Sequence, residues 1–88
     1  MKRKGPHPQR ALTQLFIDTA REPGRYTDGG GLYLVVSRWG AKRWLLRIVV
    51  QGRRRDRGLG SLAQVSLAEA REKALAYREL ARRPEGLG

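Results

Sequence analysis

Residues 42–60, which read KRWLLRIVVQGRRRDRGLG, decide the fold because they predict a β-hairpin. Apolar side chains recur at every second position of residues 44–50, as in a strand with one buried face. Gln51 and Gly52 follow, and the glycine provides the positive φ that a tight two-residue turn requires. The rest of the chain is interpreted as support for this hairpin.

Pairing the two strands around this turn predicts two chemically different faces. One face is mostly apolar and needs a covering helix, whereas the other carries guanidinium groups and suits an anion. On the apolar face the predicted pairs are Val50 with Arg53, Ile48 with Arg55, Leu46 with Arg57 and Trp44 with Leu59. On the cationic face they are Val49 with Arg54, Arg47 with Asp56 and Leu45 with Gly58, and Arg43 shares that face.

The chain has 88 residues, no cysteine and one histidine, His7. A chain of this length buries only about 60–65% of its unfolded surface, so one sheet on one helix is near the limit. The lack of cysteine fits a reducing cytoplasm, and no apolar run reaches the roughly 18 residues of a membrane span. A catalytic or metal site would depend on His7 alone. We therefore predict a cytoplasmic domain without enzyme activity, cofactor, metal ion, small-molecule substrate or membrane contact.

The net charge of +11 is distributed unevenly. Residues 1–10 carry +4 and residues 38–57 carry +7, whereas residues 66–83 carry only +2. Charge concentrated on a tail and a hairpin indicates a polyanion docked on the sheet. The alternative is a solvated basic surface that maintains solubility.

Three segments are predicted along the chain. Residues 1–11 are basic and contain two prolines, so we expect a disordered tail that is either a start-site remnant or an arm contacting DNA. Residues 12–84 form the folded domain, and residues 85–88 are interpreted as a linker toward further domains absent from this sequence.

Within the folded domain, residues 12–21 predict a short helix with Thr13 as its N-cap. Residues 25–27 predict a short first strand, and residues 31–37 a second strand before the hairpin. Trp39 follows in a loop, where we expect it to cap the end of the core rather than contact a base.

Ser66 and Glu69 have the spacing of a capping box, which predicts a helix from there to about Arg83. Its apolar stripe is rich in alanine, which would let the helix lie close to the sheet. That stripe consists of Leu67, Ala70, Ala74, Tyr77 and Ala81.

Nucleic-acid binding is the function that the residues favour. Arginines on the outward face of a sheet can contact guanine edges in the major groove, while surrounding cations hold phosphates. Arg43, Arg47 and Arg54 are the candidates for base edges or inner phosphates, and Arg38, Lys42 and Arg53 for phosphates near the turns. Leu45 and Val49 are outward aliphatic candidates for a thymine methyl group, and Arg55 completes the predicted DNA-binding set.

Several motifs in this order resemble the N-terminal arm-type DNA-binding domain of phage and genomic-island tyrosine recombinases. They are Asp28-Gly29-Gly30-Gly31-Leu32, Lys42-Arg43-Trp44, Leu59-Gly60-Ser61 and Ser66-Leu67-Ala68-Glu69-Ala70-Arg71. The resemblance implies an α+β fold, with a three-stranded antiparallel sheet packed against a C-terminal helix and a short N-terminal helix. It implies sequence-specific binding of double-stranded DNA at arm-type repeats through the sheet, near the bacterial nucleoid, with other integrase protomers as further partners. Core-binding and catalytic domains would follow on the same chain.

Arg57 departs from that pattern, because such domains usually carry an apolar residue there. Either Arg57 reaches out at the sheet edge, or a bulge shifts the register and reassigns Arg54 and Arg55. Three other functions stay open: a module similar to plant AP2 domains, an RNA-binding module, and a protein-interaction module contacting recombinase protomers or an acidic partner.

Overall fold

A computed structural model of the chain describes residues 11–82, so the predicted linker and most of the predicted tail lie outside the described residues. The fold is α+β, as predicted. Its elements are α1 (Gln14–Thr19), β1 (Gly24–Gly29), β2 (Leu32–Val36), β3 (Lys42–Val50), β4 (Arg53–Ser61) and α2 (Leu67–Ala81).

The antiparallel sheet has four strands in the order β1-β2-β3-β4, so the expectation of three strands is wrong. The additional strand is β1, which extends beyond the predicted residues 25–27 on both sides. It pairs with β2 from Gly24 opposite Val36 to Gly29 opposite Leu32, with an irregularity after Thr27. The backbone partners that β2 offers along its length explain why this strand is longer than its own sequence suggests.

The predicted register of the β3–β4 hairpin is confirmed from Val50 opposite Arg53 to Leu45 opposite Gly58. Trp44, however, lies opposite Gly60 rather than Leu59, because a bulge inserts one residue there. The bulge comes after Arg57 in the chain. Arg54 and Arg55 therefore keep the faces that simple pairing assigns to them.

The hydrophobic core lies between one face of the sheet and the two helices. Trp44 is completely buried, and its indole Nε1 donates a hydrogen bond to the Val65 carbonyl oxygen at 2.8 Å. Ala70 and Ala74 of α2 are also completely buried, which confirms that small residues allow the helix to lie close to the sheet. Tyr77 packs against this core while partly exposed.

Side chains cap the N-terminal ends of both helices, as predicted. The Thr13 hydroxyl accepts a hydrogen bond from the Phe16 amide at 3.1 Å, and Ser66 and Glu69 make both hydrogen bonds of a capping box. The first helix is shorter than predicted, ending at Thr19. The Lys42 ammonium donates to the Ile17 carbonyl at 2.6 Å, so this side chain binds the C-terminal end of α1.

Asp28 joins three separate parts of the fold. Its buried carboxylate accepts hydrogen bonds from the Arg71 Nε and Nη2 atoms, both at 2.9 Å, and from the Leu12 amide at 2.9 Å. Arg71 also donates to the Leu12 carbonyl at 2.9 Å. This network connects β1, α2 and the segment before α1, although the sequence identifies Asp28 only as a turn residue.

Candidate nucleic-acid interface

The face of the sheet opposite α2, here called the outer face, carries most of the predicted site. Strand pairing aligns Arg25 of β1 with Val35, Arg43 with Val35 from the other side, and Arg54 with Val49. All three arginines are exposed. Arg47 of β3 shares this face. Every strand except β2 therefore contributes at least one arginine to one continuous surface.

Arg25 was missed by the sequence reasoning, which considered only the hairpin and β2 as the binding sheet. A signal was present in the alternation of residues 24–29. Tyr26 pairs with the buried Leu34, so its neighbour Arg25 must point to the other face. Recognising β1 as a full strand would have identified this residue.

Arg47 lies near the centre of the outer face and is held from three directions. Its Nε and Nη2 atoms donate to the two carboxylate oxygens of Asp56, at 2.9 and 3.3 Å. Its guanidinium carbon lies 5.9 Å from the centre of the Tyr33 ring. Its backbone amide donates to the Gly31 carbonyl at 2.8 Å, and this approach needs glycine, because a Cβ on Gly31 would overlap the Arg47 carbonyl oxygen.

Three arginines of the outer face influence the pKa of one carboxyl group, that of Asp56. Hydrogen bonding from Arg47 lowers the pKa of the Asp56 carboxyl, and the charges of Arg47, Arg25 and Arg54 lower it further. The same hydrogen bonds raise the pKa of Arg47. The outer face is therefore strongly cationic around one ionised carboxylate.

The two aliphatic candidates on this face differ in exposure. Val49 is 63% exposed and free to contact a partner. Leu45 is only 8% exposed, so the expectation that it is accessible is wrong. Tyr33 lies directly opposite Leu45, and Arg43 and Arg47 flank it on the same strand, so longer side chains cover it.

Trp39 does not cap the core, contrary to the prediction, because its side chain is 84% exposed. It lies in the β2–β3 turn, where the Ser37 hydroxyl accepts hydrogen bonds from the Trp39 and Ala41 amides at 3.2 and 3.1 Å. The Arg38 guanidinium carbon lies 5.6 Å from the centre of the Trp39 ring. This turn therefore presents a cation and an aromatic ring together at one end of the sheet.

The remaining predicted residues belong to the helix side of the sheet. Lys42 points toward α1, as described above, so its ammonium is already occupied. Arg53 and Arg55 lie opposite Val50 and Ile48 on the edge strand β4 and are exposed. Arg57 reaches over the Tyr77 ring, with its guanidinium carbon 4.7 Å from the ring centre. The predicted set thus divides between two faces.

A family model for the Arm DNA-binding domain matches residues 12–85, which is most of the chain. The chain belongs to this family. Two integrases, one from Shigella phage Sf6 and the prophage integrase IntS of Escherichia coli K12, are each 40% identical to it over 71 residues. These alignments cover 77% of this chain but only 18% of each relative.

Among residues 11–82, no group of three or more His, Cys, Asp and Glu side chains could hold a metal ion. In the same range, neither helix is long and apolar enough to cross a membrane.

Proposed function

We propose that this Arm DNA-binding domain binds double-stranded DNA sequence-specifically, with the outer face of its sheet in the major groove. It would recognise arm-type repeats as the N-terminal module of a phage or genomic-island integrase acting in site-specific recombination. The observation that carries the proposal is the cationic outer face, where β1, β3 and β4 contribute Arg25, Arg43, Arg47 and Arg54. The catalytic domain would lie elsewhere in a parent protein that acts in the bacterial cytoplasm.

The dimensions of the sheet favour this docking. Neighbouring strands lie about 4.7–4.9 Å apart, so the three strands β2–β4 span roughly 10 Å between their axes. The major groove is about 12 Å wide and admits a two-stranded β-ribbon, so the β3–β4 hairpin would lie in the groove with β2 beside one wall. β1 would then lie at the rim of the groove, where Arg25 meets a phosphate rather than a base.

The position of each side chain on the outer face supports a proposed role for it. Arg47 and Arg54 lie toward the hairpin end, where the exposed Val49 is directly opposite Arg54 and two residues from Arg47. These side chains would contact base edges and a thymine methyl group. Arg43 lies nearer the β2–β3 turn and, with Arg38, would contact phosphates. Leu45 and Lys42 are left with structural roles.

The helix-side arginines would add phosphate contacts. Arg53 and Arg55 are exposed on the edge strand β4, next to the wall of a groove that holds the hairpin. Because they point away from the groove floor, we expect them to contribute affinity without sequence preference.

The test begins with selection of duplexes from a random-sequence pool by the wild-type domain, followed by binding measurements on the selected duplex. We expect Arg47→Glu to weaken binding roughly tenfold or more, because it removes a bidentate base contact and reverses a charge. Lys73→Glu is the matched control, since Lys73 is exposed on α2 and the charge change is the same. Equal losses in both variants would rule out docking through the outer face.

A second candidate function is protein interaction, either with another integrase protomer or with an acidic partner. It is favoured by apolar side chains that α1 and α2 leave exposed, namely Leu15 at 73% and Leu75 at 57%. Sedimentation of the domain, wild type and Leu15→Ser, separates the two functions. Self-association that depends on Leu15 would support contact between protomers, whereas a monomer at all concentrations would exclude self-association of this domain.

A further inference from the structure

We propose that Asp56 is a specificity-determining residue: it fixes Arg47 in one orientation for reading a guanine and repels phosphates from the centre of the outer face. This inference rests on the proposed function, because it assigns a role within the same surface. Asp56 is unusual there as an acidic side chain among four arginines from three strands. Carboxylates on a surface that binds a polyanion oppose binding, so its placement calls for another role.

The geometry of the ion pair leaves one edge of the Arg47 guanidinium available. An arginine carries five N–H donors, and the contacts to Asp56 use the edge formed by Nε and Nη2. Within residues 11–82, no group accepts a hydrogen bond from the edge formed by Nη1 and the second hydrogen of Nη2. Two parallel donors on that edge match the O6 and N7 acceptors of guanine.

The surroundings of Arg47 restrict its orientation further. The Tyr33 ring lies on one side of the guanidinium, and the side chain is only 28% exposed. A long side chain that is already ordered loses less conformational entropy when it contacts a base. Asp56 therefore acts as a positioning residue through Arg47, without having to touch DNA.

The carboxylate also acts on non-specific binding. Without Asp56, Arg47 could turn toward any nearby phosphate, and contacts of that kind carry no sequence information. With Asp56 in place, the Arg47 charge is partly neutralised, and a phosphate that approaches meets a negative group. Sequence preference rises because binding to unrelated DNA becomes weaker.

Structural stabilisation alone does not explain the position of Asp56. Its side chain is 42% exposed and lies on the edge strand β4, on the face away from the core. Its two hydrogen bonds go to Arg47. A role in stability alone would leave sequence preference unchanged when the residue is replaced, which gives the experiment a clear readout.

The experiment compares wild type with Asp56→Asn and Asp56→Ala, using three duplexes at several salt concentrations. The duplexes are the one selected by the wild type, a copy with the guanine that depends on Arg47 replaced by adenine, and a random-sequence duplex. Glu72→Gln is the control, because Glu72 is exposed on α2 and its replacement changes the net charge by the same amount.

We expect Asp56→Asn to bind the random duplex several-fold more tightly than the wild type, with a salt slope steeper by about 0.9 as Arg47 gains a phosphate. We expect Asp56→Ala to lose roughly tenfold of its preference for the guanine duplex, since Arg47 is no longer oriented. Glu72→Gln should change neither quantity.

Two results would overturn the inference, and they are distinguishable. If the wild type selects a sequence but both Asp56 variants keep its preference and salt slope, Asp56 has no role in specificity and the proposed function stands. If the wild type selects no sequence at all, the proposed function fails and this inference fails with it.

Discussion

The two faces of the sheet each carry an aspartate–arginine pair with two hydrogen bonds between the groups, and these pairs differ in burial. On the helix side, the carboxylate of Asp28 is 4% exposed and the side chain of Arg71 is 24% exposed. On the outer face, Asp56 is 42% and Arg47 is 28% exposed. The same pair of groups therefore connects buried segments on one face and remains accessible to solvent on the other.

The difference in burial has an energetic consequence. A buried carboxylate that loses its partner keeps the cost of its desolvation, whereas an exposed one is solvated again by water. Hydrogen bonding to Asp28 raises the pKa of Arg71, as hydrogen bonding to Asp56 does for Arg47. We expect removal of Arg71 to affect folding and removal of Arg47 to affect binding.

The largest expected effect comes from Arg71→Met. This change leaves Asp28 buried without its cation, so we expect the free energy of unfolding to fall by about 3 kcal/mol, near the lower end for a buried pair because Arg71 is partly exposed. Urea denaturation followed by circular dichroism measures it. Arg47→Met is the paired variant, and a comparable loss of stability there would contradict the distinction between the two pairs.

The next effect separates the arginines of the two faces. The double variant Arg43→Gln/Arg54→Gln removes two cations from the outer face. We expect its salt slope for the selected duplex to fall by about 1, through the phosphate contact of Arg43, and its affinity to fall roughly tenfold or more. Arg53→Gln/Arg55→Gln removes the same charge from the helix side of β4. We expect this second variant to lose less affinity and to keep its sequence preference. A larger loss of affinity than in the first variant would reverse the assignment of faces.

A smaller effect concerns the pH at which Asp56 titrates. Arg47 holds the pKa of Asp56 below its ordinary value, so whatever stability the pair contributes is present at neutral pH and is lost as the pH falls through that lowered pKa. Carboxyl carbon chemical shifts measured during an acid titration should show it directly. In Arg47→Met the titration midpoint of Asp56 should move upward, and an unchanged midpoint would mean that the pair does not form in solution.

The smallest effect is spectroscopic and uses the two tryptophans. Trp39 is 84% exposed beside Arg38, whereas Trp44 is completely buried and donates a hydrogen bond to the Val65 carbonyl oxygen. Binding of the selected duplex should quench part of the fluorescence, and the change should come from Trp39 alone. Trp39→Phe is the test variant, because a change that persists in it would place the DNA away from the β2–β3 turn.

The sequence by itself determined the features that depend on neighbouring residues. The turn at Gln51 and Gly52 and the alternation before it define the register of the hairpin, because a shift by one residue would expose its entire apolar face. The cap at Thr13 and the box at Ser66 and Glu69 are equally local, since each satisfies amides within three residues. The cationic outer side of the hairpin followed from the same alternation.

Only the tertiary structure decided the features that join distant segments. β1 becomes a full strand because β2 supplies its hydrogen-bond partners, and this brings Arg25 to the outer face. Asp28 and Arg71 are 43 residues apart in the chain, and no local pattern indicates that they meet. The burial of Leu45, the exposure of Trp39 and the engagement of Lys42 with α1 likewise depend on which side chains lie opposite, and periodicity specifies the face of a residue but not its neighbours.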